Sequence, residues 1–257
     1  MKYAVRCPVG PGTHMTASEL STDGSILLRA LAVPQHGFPL VTTRRRAGLA
    51  LALATAAALA TAAAVLPSTD FGAAALAADR GEDGAELTVS QREDNAATAR
   101  KLGLIAGWAG AAALPALLAV AAAGCLFVGF RVAGARPDFK ATLAVTAHGM
   151  LPVWLRGLLA IPAALVHAPL APADVPRLVP SSLAALVPSA PPPLAAALGA
   201  ADLFTVWALV LVAVGMARAA GTSRLRAAVV TLVLFAAYVA LFQVVPAALS
   251  AGGPGPR

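Results

Sequence analysis

The chain alternates long apolar stretches with short polar ones, and the lengths of the apolar stretches decide the reading. Residues 47–66, AGLALALATAAALATAAAVL, are twenty residues without a charge. As a helix they span about 30 Å, the thickness of a bilayer's hydrocarbon core. Four more long, mostly apolar stretches follow, at about 104–130, 141–165, 194–217 and 225–249. The pattern predicts an all-α fold, a polytopic membrane helix bundle with five transmembrane helices over 47–249. Residues 1–46 form an amino-terminal segment with a short amphipathic stretch, and 250–257 a short tail.

The polar segments refine this frame. Residues 67–101 form the first polar loop, carrying Asp70, Asp79, Glu82, Asp83, Glu86, Glu93 and Asp94. No EF-hand spacing occurs there, so the acidic run reads as a solvated face. Ser90, with Glu93 three residues later, has capping-box spacing and predicts a short helix running straight into the second span. Pro115 inside that span predicts a kink. Residues 167–193, with SSLAALVPSAPPP, read as a proline-rich loop lying against the membrane surface.

Composition agrees: 59% of residues are apolar, 12% are charged, and mean hydropathy is +0.78. Soluble domains are about 45–50% apolar and about 25% charged. The net charge of +7 would suit nucleic acid only with a compact basic face carrying base-stacking or groove-reading residues. No such element is present, and no nucleic-acid partner is expected.

The basic residues instead give a direction. With the amino end inside, the inner segments hold Lys2, Arg6, Arg29, Arg44, Arg45, Arg46, Arg131, Arg136, Lys140, Arg218, Arg224 and Arg226, 12 of 19. The outer segments hold Arg80, Arg92, Arg100, Lys101, Arg177 and Arg257. This is the positive-inside bias, and it places the amino end in the cytoplasm and, after five spans, the carboxyl end outside.

Two features of the amino-terminal region leave alternatives open. Translation can begin at Met1 or Met15. TTRRR, the apolar run and AAALAAD also resemble a twin-arginine export signal, although the run is longer than a signal core and over forty residues precede it. The intact first helix is the expected state. Cys7 and Cys125 lie too far apart in this scheme to meet, and Cys125 reads as a small buried packing residue.

Three polar residues fall within spans. Arg156 lies about 14 Å from the outer end of the third helix, and Asp202 about 12 Å into the fourth, at 1.5 Å per residue. Opposite charges at one level on adjacent antiparallel helices suggest an ion pair, with snorkelling to the interface as the alternative. His148 is expected to be satisfied by a carbonyl freed near Pro152, with a proton relay as the competing role. Gly103 and Gly107 form a GxxxG that licenses close helix packing. No phosphate loop, GxSxG, HExxH or metal-ligand spacing is present, so no enzyme activity, metal or cofactor is expected.

The segments LLRALAVPQHGF, AVTAHGMLPVWLRGLLAIP and DLFTVWALVLVAVGMARAAGTSRLRAA resemble the bacterial branch of the Yip family, whose eukaryotic members bind Ypt/Rab GTPases. The likeness extends over about 26–248. Its most specific part is the cluster Asp202, Leu203, Phe204 and Trp207, followed by Gly215. The resemblance implies five spans, a cytoplasmic amino end and no known catalytic activity. The alanine content fits a GC-rich bacterial genome, so a Rab-type GTPase is not an expected partner. The bilayer, other membrane proteins and further copies of the chain are. The expected role is non-enzymatic membrane organisation or partner binding in the bacterial inner (cytoplasmic) membrane. The alternative is a small transporter or channel using His148, Arg156 and Asp202.

Overall fold

Runs of alanine and leucine lose little side-chain freedom in a helix, and most of each apolar stretch is helical. The computed structural model describes residues 17–78 and 88–251. Cys7, Met15, Asp79, Arg80, Glu82, Asp83, Glu86 and Arg257, with the readings that rest on them, lie outside the described residues.

Helices α1 (Ala17–Ala32) and α2 (Pro34–Arg44) form a hairpin ahead of the first apolar helix, α3 (Gly48–Val65). A short helix α4 (Phe71–Ala78) and the long α5 (Val89–Val132) follow. The third apolar stretch is two helices, α6 (Phe139–Gly149) and α7 (Leu151–Val166). Pro152 explains the break, because it has no N–H to give the carbonyl of His148. After two 3₁₀ turns come α8 (Pro192–Ala200), α9 (Leu203–Ala219) and α10 (Arg224–Val239). A π turn at Ala240–Val244, where Pro246 likewise removes a donor, leads to α11 (Val245–Ala251).

Four helical stretches are long and apolar enough to cross a membrane: Gly48–Val65, Val89–Val132, Phe139–Val166 and Arg224–Ser250. The remaining apolar helix, Leu203–Ala219, has 17 residues. Large apolar side chains are exposed on the outer walls, among them Leu117, Val120, Leu159, Leu232 and Phe242. Water would be a poor solvent for that surface and lipid a good one.

Several expectations need correction. Residues 67–101 are not all loop: α4 lies inside them unforeseen, while the helix expected to run straight into the second span is the beginning of α5 at Val89. The cap of α5 is Thr88, not Ser90: Gln91 N–H donates to Thr88 Oγ1 at 3.3 Å, and Thr88 N–H donates to Gln91 Oε1 at 3.0 Å. The same capping-box chemistry operates two residues earlier. Residues 194–217 are not one helix, because the chain breaks between α8 and α9. Cys125 is exposed rather than buried, since α5 turns Ala119, Ala123, Leu126 and Phe130 inward instead.

The main core gathers Phe38, Val41, Phe130, Val145, Leu211 and Met216 from α2, α5, α6 and α9. A second cluster joins Leu27 to Ala50, Ala54, Ala147 and Leu151, with α3 held against α7 and α5. The GxxxG pair works within the chain. Gly103 faces the Phe71 ring and Gly107 faces the Leu66 side chain, each too close to admit a Cβ.

Candidate functional site

Asp202 begins a helix rather than lying inside one. Its Oδ1 accepts from the backbone N–H of Phe204 at 2.9 Å and of Thr205 at 3.3 Å, the geometry of an N-cap. Its Oδ2 accepts the hydroxyl of Ser181 and lies 3.3 Å from Arg156 Nε. The Asp202 side chain is only 5% exposed, so its charge depends on these partners.

Arg156, in α7, reaches out of its own helix. Nε donates to Ser181 Oγ at 3.1 Å, and Nη2 donates to the carbonyl of Pro176 at 2.6 Å. Backbone bonds extend the junction: Leu203 N–H donates to the Ser181 carbonyl at 3.1 Å, and Leu183 N–H to the Ala201 carbonyl at 3.1 Å. One guanidinium therefore fastens α7, the proline-rich connection and the start of α9 together. The connection is held to the bundle by specific bonds.

His148 takes no part in this junction. It is buried, and its Nδ1 lies 2.8 Å from the Ala144 carbonyl one turn back on its own helix. A carbonyl can only accept, so Nδ1 carries the proton. The partner is thus the i−4 carbonyl, not one freed by Pro152. The three polar candidates do not converge on a single route, and the transporter reading gains no support from them.

A second polar cluster ties down the α1–α2 hairpin. Arg44 Nη1 donates to Asp23 Oδ1 at 2.9 Å, Arg46 Nη1 lies 3.5 Å from Asp23 Oδ2, and Arg45 Nη1 lies 3.4 Å from Asp138 Oδ2. All three arginines before α3 are engaged inside the fold. Arg45 takes a left-handed conformation, φ 53°, as the chain leaves α2. Sequence reading singled out the arginines but not Asp23 or Asp138 as their partners, and it missed Ser181 as the link between Arg156 and Asp202. Those pairings join residues from 21 positions apart, as Asp23 and Arg44 are, to the much wider separation of Arg45 and Asp138, and only tertiary packing brings them together, which spacing alone does not report.

The remaining motif positions divide by exposure. Leu203 and Trp207 face outward, Phe204 is half-buried, and Gly215 is buried. A Cβ on Gly215 would come within 2.7 Å of the Phe38 ring and collide with Val145. Phe38, Val145 and Gly215 come from the three segments that carried the family likeness, and they meet at one point.

The family model described as the Yip1 domain matches residues 28–245. The chain belongs to the Yip1 domain family. The matched region of this Yip1 domain begins within α1 and ends at the first residue of α11, so both polar clusters and the Phe38–Gly215 contact lie in or against it. No match was found among curated proteins or among solved structures. Among the described residues, no group of three or more His, Cys, Asp or Glu side chains could hold a metal ion.

Proposed function

We propose that this Yip1 domain protein is a non-enzymatic, partner-binding organiser of the bacterial inner membrane, built on five spans with its amino end cytoplasmic and its carboxyl end outside. The family match across residues 28–245 carries the reading, because Yip family proteins are associated with membrane interactions and are not known enzymes. Taking α9 as a span, the fourth in chain order, is supported by its place in the bundle. It packs against α6, α7 and α10, and Leu211, Val212 and Met216 lie in the core. At about 1.5 Å per residue its 17 residues reach roughly 25 Å, short of a full hydrocarbon core but extended outward by α8.

The α1–α2 hairpin is the part of the fold suited to presenting a cytoplasmic surface. It is pinned by Asp23 and Asp138 yet keeps Leu28 and Leu40 exposed. Crosslinking followed by affinity purification from native membranes tests the role. A reproducible protein partner, lost when Leu28 and Leu40 are both changed to Ser, is the expected result. Recovery of no partner, with the purified protein moving an ion in vesicles, would replace this reading by transport.

A further inference from the structure

Helices α5 and α10 pack closely where Gly129 receives the Leu234 side chain, and beside that contact they leave a lipid-facing groove of about 690 Å³. Ligand sites fall in the range of about 300–1,000 Å³. Gly124, Cys125, Val128 and Val132 form one wall and Val229 and Val233 the other. Nothing in that lining carries a charge, and both walls belong to helices long and apolar enough to cross a bilayer.

One end of the groove is strongly basic. Ala133 closes it, and Arg226 Nη2 donates to the Ala133 carbonyl, which brings the α5–α6 turn against the start of α10. These two turns hold Arg131, Arg136, Lys140, Arg218, Arg224 and Arg226. Among the described residues none of the six has a carboxylate within ion-pair distance, because Asp138, the acidic residue in these turns, is taken by Arg45. Arg131 is exposed and sits over the Phe127 ring, 4.4 Å from its centroid. One N–H of the Arg226 guanidinium is used on Ala133 and the others are available.

We infer that this groove binds an anionic phospholipid, its phosphate held by Arg226, which stands one turn before the Val229 and Val230 wall, and one acyl chain lying between α5 and α10. Charge decides the occupant. A second copy docking by a two-fold contact would bring the same unpaired cations face to face, whereas a lipid phosphate neutralises them and continues into a chain that matches the apolar walls. The positive-inside bias puts this end at the cytoplasmic leaflet, where basic pockets between membrane helices take anionic headgroups.

Native mass spectrometry of the full-length protein in detergent tests this, with phosphatidylglycerol and phosphatidylcholine of identical chains added separately. Phosphatidylglycerol is expected to bind at least about fivefold more tightly, the effect of one well-placed basic residue. Arg226→Gln should make the two lipids equal. Gly124→Leu should remove bound lipid of either kind, and it is a safe second variant because a Cβ there meets no atom within 4 Å. Equal binding of both lipids by the unaltered protein would overturn the inference. So would lipid binding undiminished by Gly124→Leu, or a dimer that Gly124→Leu dissociates, which would assign the groove to a second copy.

Discussion

The Phe38 ring lies against Gly215, so close that a Cβ on the glycine would approach to 2.7 Å. This contact seats the amino-terminal hairpin on α9, and Val145 of α6 closes on the same spot. Gly215→Ala should therefore destabilise the protein by about 1–3 kcal/mol through overpacking. Val145→Ala should restore part of that loss, so the double variant should lose less than the sum of the two single losses. Unfolding in mixed micelles measures both, and strictly additive losses would show that Gly215 is not a packing seat.

Asp202 has two tasks that substitutions can separate. Asn is as good an N-cap as Asp, so Asp202→Asn should keep the start of α9 and lose the attraction to Arg156. Asp202→Ala should lose both, costing about 1 kcal/mol more for the cap. A double-mutant cycle with Arg156→Ala should give a coupling energy of about 0.5–3 kcal/mol. Additivity within experimental error would mean that the pair contributes nothing beyond its separate hydrogen bonds.

These two sites differ in how far the sequence could announce them. The apolar lengths locate α3 to within one residue at each end, and the second and third stretches fall inside α5 and across α6 and α7. Asp202 was legible as an opposite charge for Arg156, but its capping role was hidden inside a stretch that looked uniformly apolar. The signal was there: an Asp directly before an apolar run is a helix start. The facing of α5 was not legible. Its apolar residues surround the whole helix, so hydrophobicity cannot say which side meets protein and which meets lipid, and Cys125 was placed on the wrong one. The 2.9 Å Asp23–Arg44 bond depends on how the hairpin folds back, which no local pattern encodes.

The proposed orientation predicts a clear reporter result. A reporter active only in the cytoplasm should work when fused at Met15 and fail at Arg257, since five spans would put the two ends on opposite sides. Cysteine substitution gives an independent reading. Under this topology a Cys at Arg136 should react with an impermeant maleimide only after the membrane is opened, and one at Arg177 should react in intact spheroplasts. Cytoplasmic activity at Arg257 would reduce the count to an even number and remove α9 as a span.

Asp23 holds two arginines while its own side chain is only 10% exposed, so it is the residue on which the hairpin's attachment turns. The arginines are 40% and 52% exposed, which screens each pair and makes the attachment a matter of local opening rather than global stability. Asp23→Asn should raise hydrogen exchange in α1 and α2 while α5 and α7 stay protected. Raised salt should have the same effect on the unaltered protein, since screening at about 1 M shortens the reach of charge to roughly 3 Å. The experiment also bears on the first span. Were the three arginines and α3 an export signal, intact mass of the mature protein from native membranes would lack α3 and there would be no hairpin to loosen. A retained α3, with Ala50 and Ala54 buried against Ala147 and Leu151, predicts a full helix in that mass and a loss of protection confined to the hairpin.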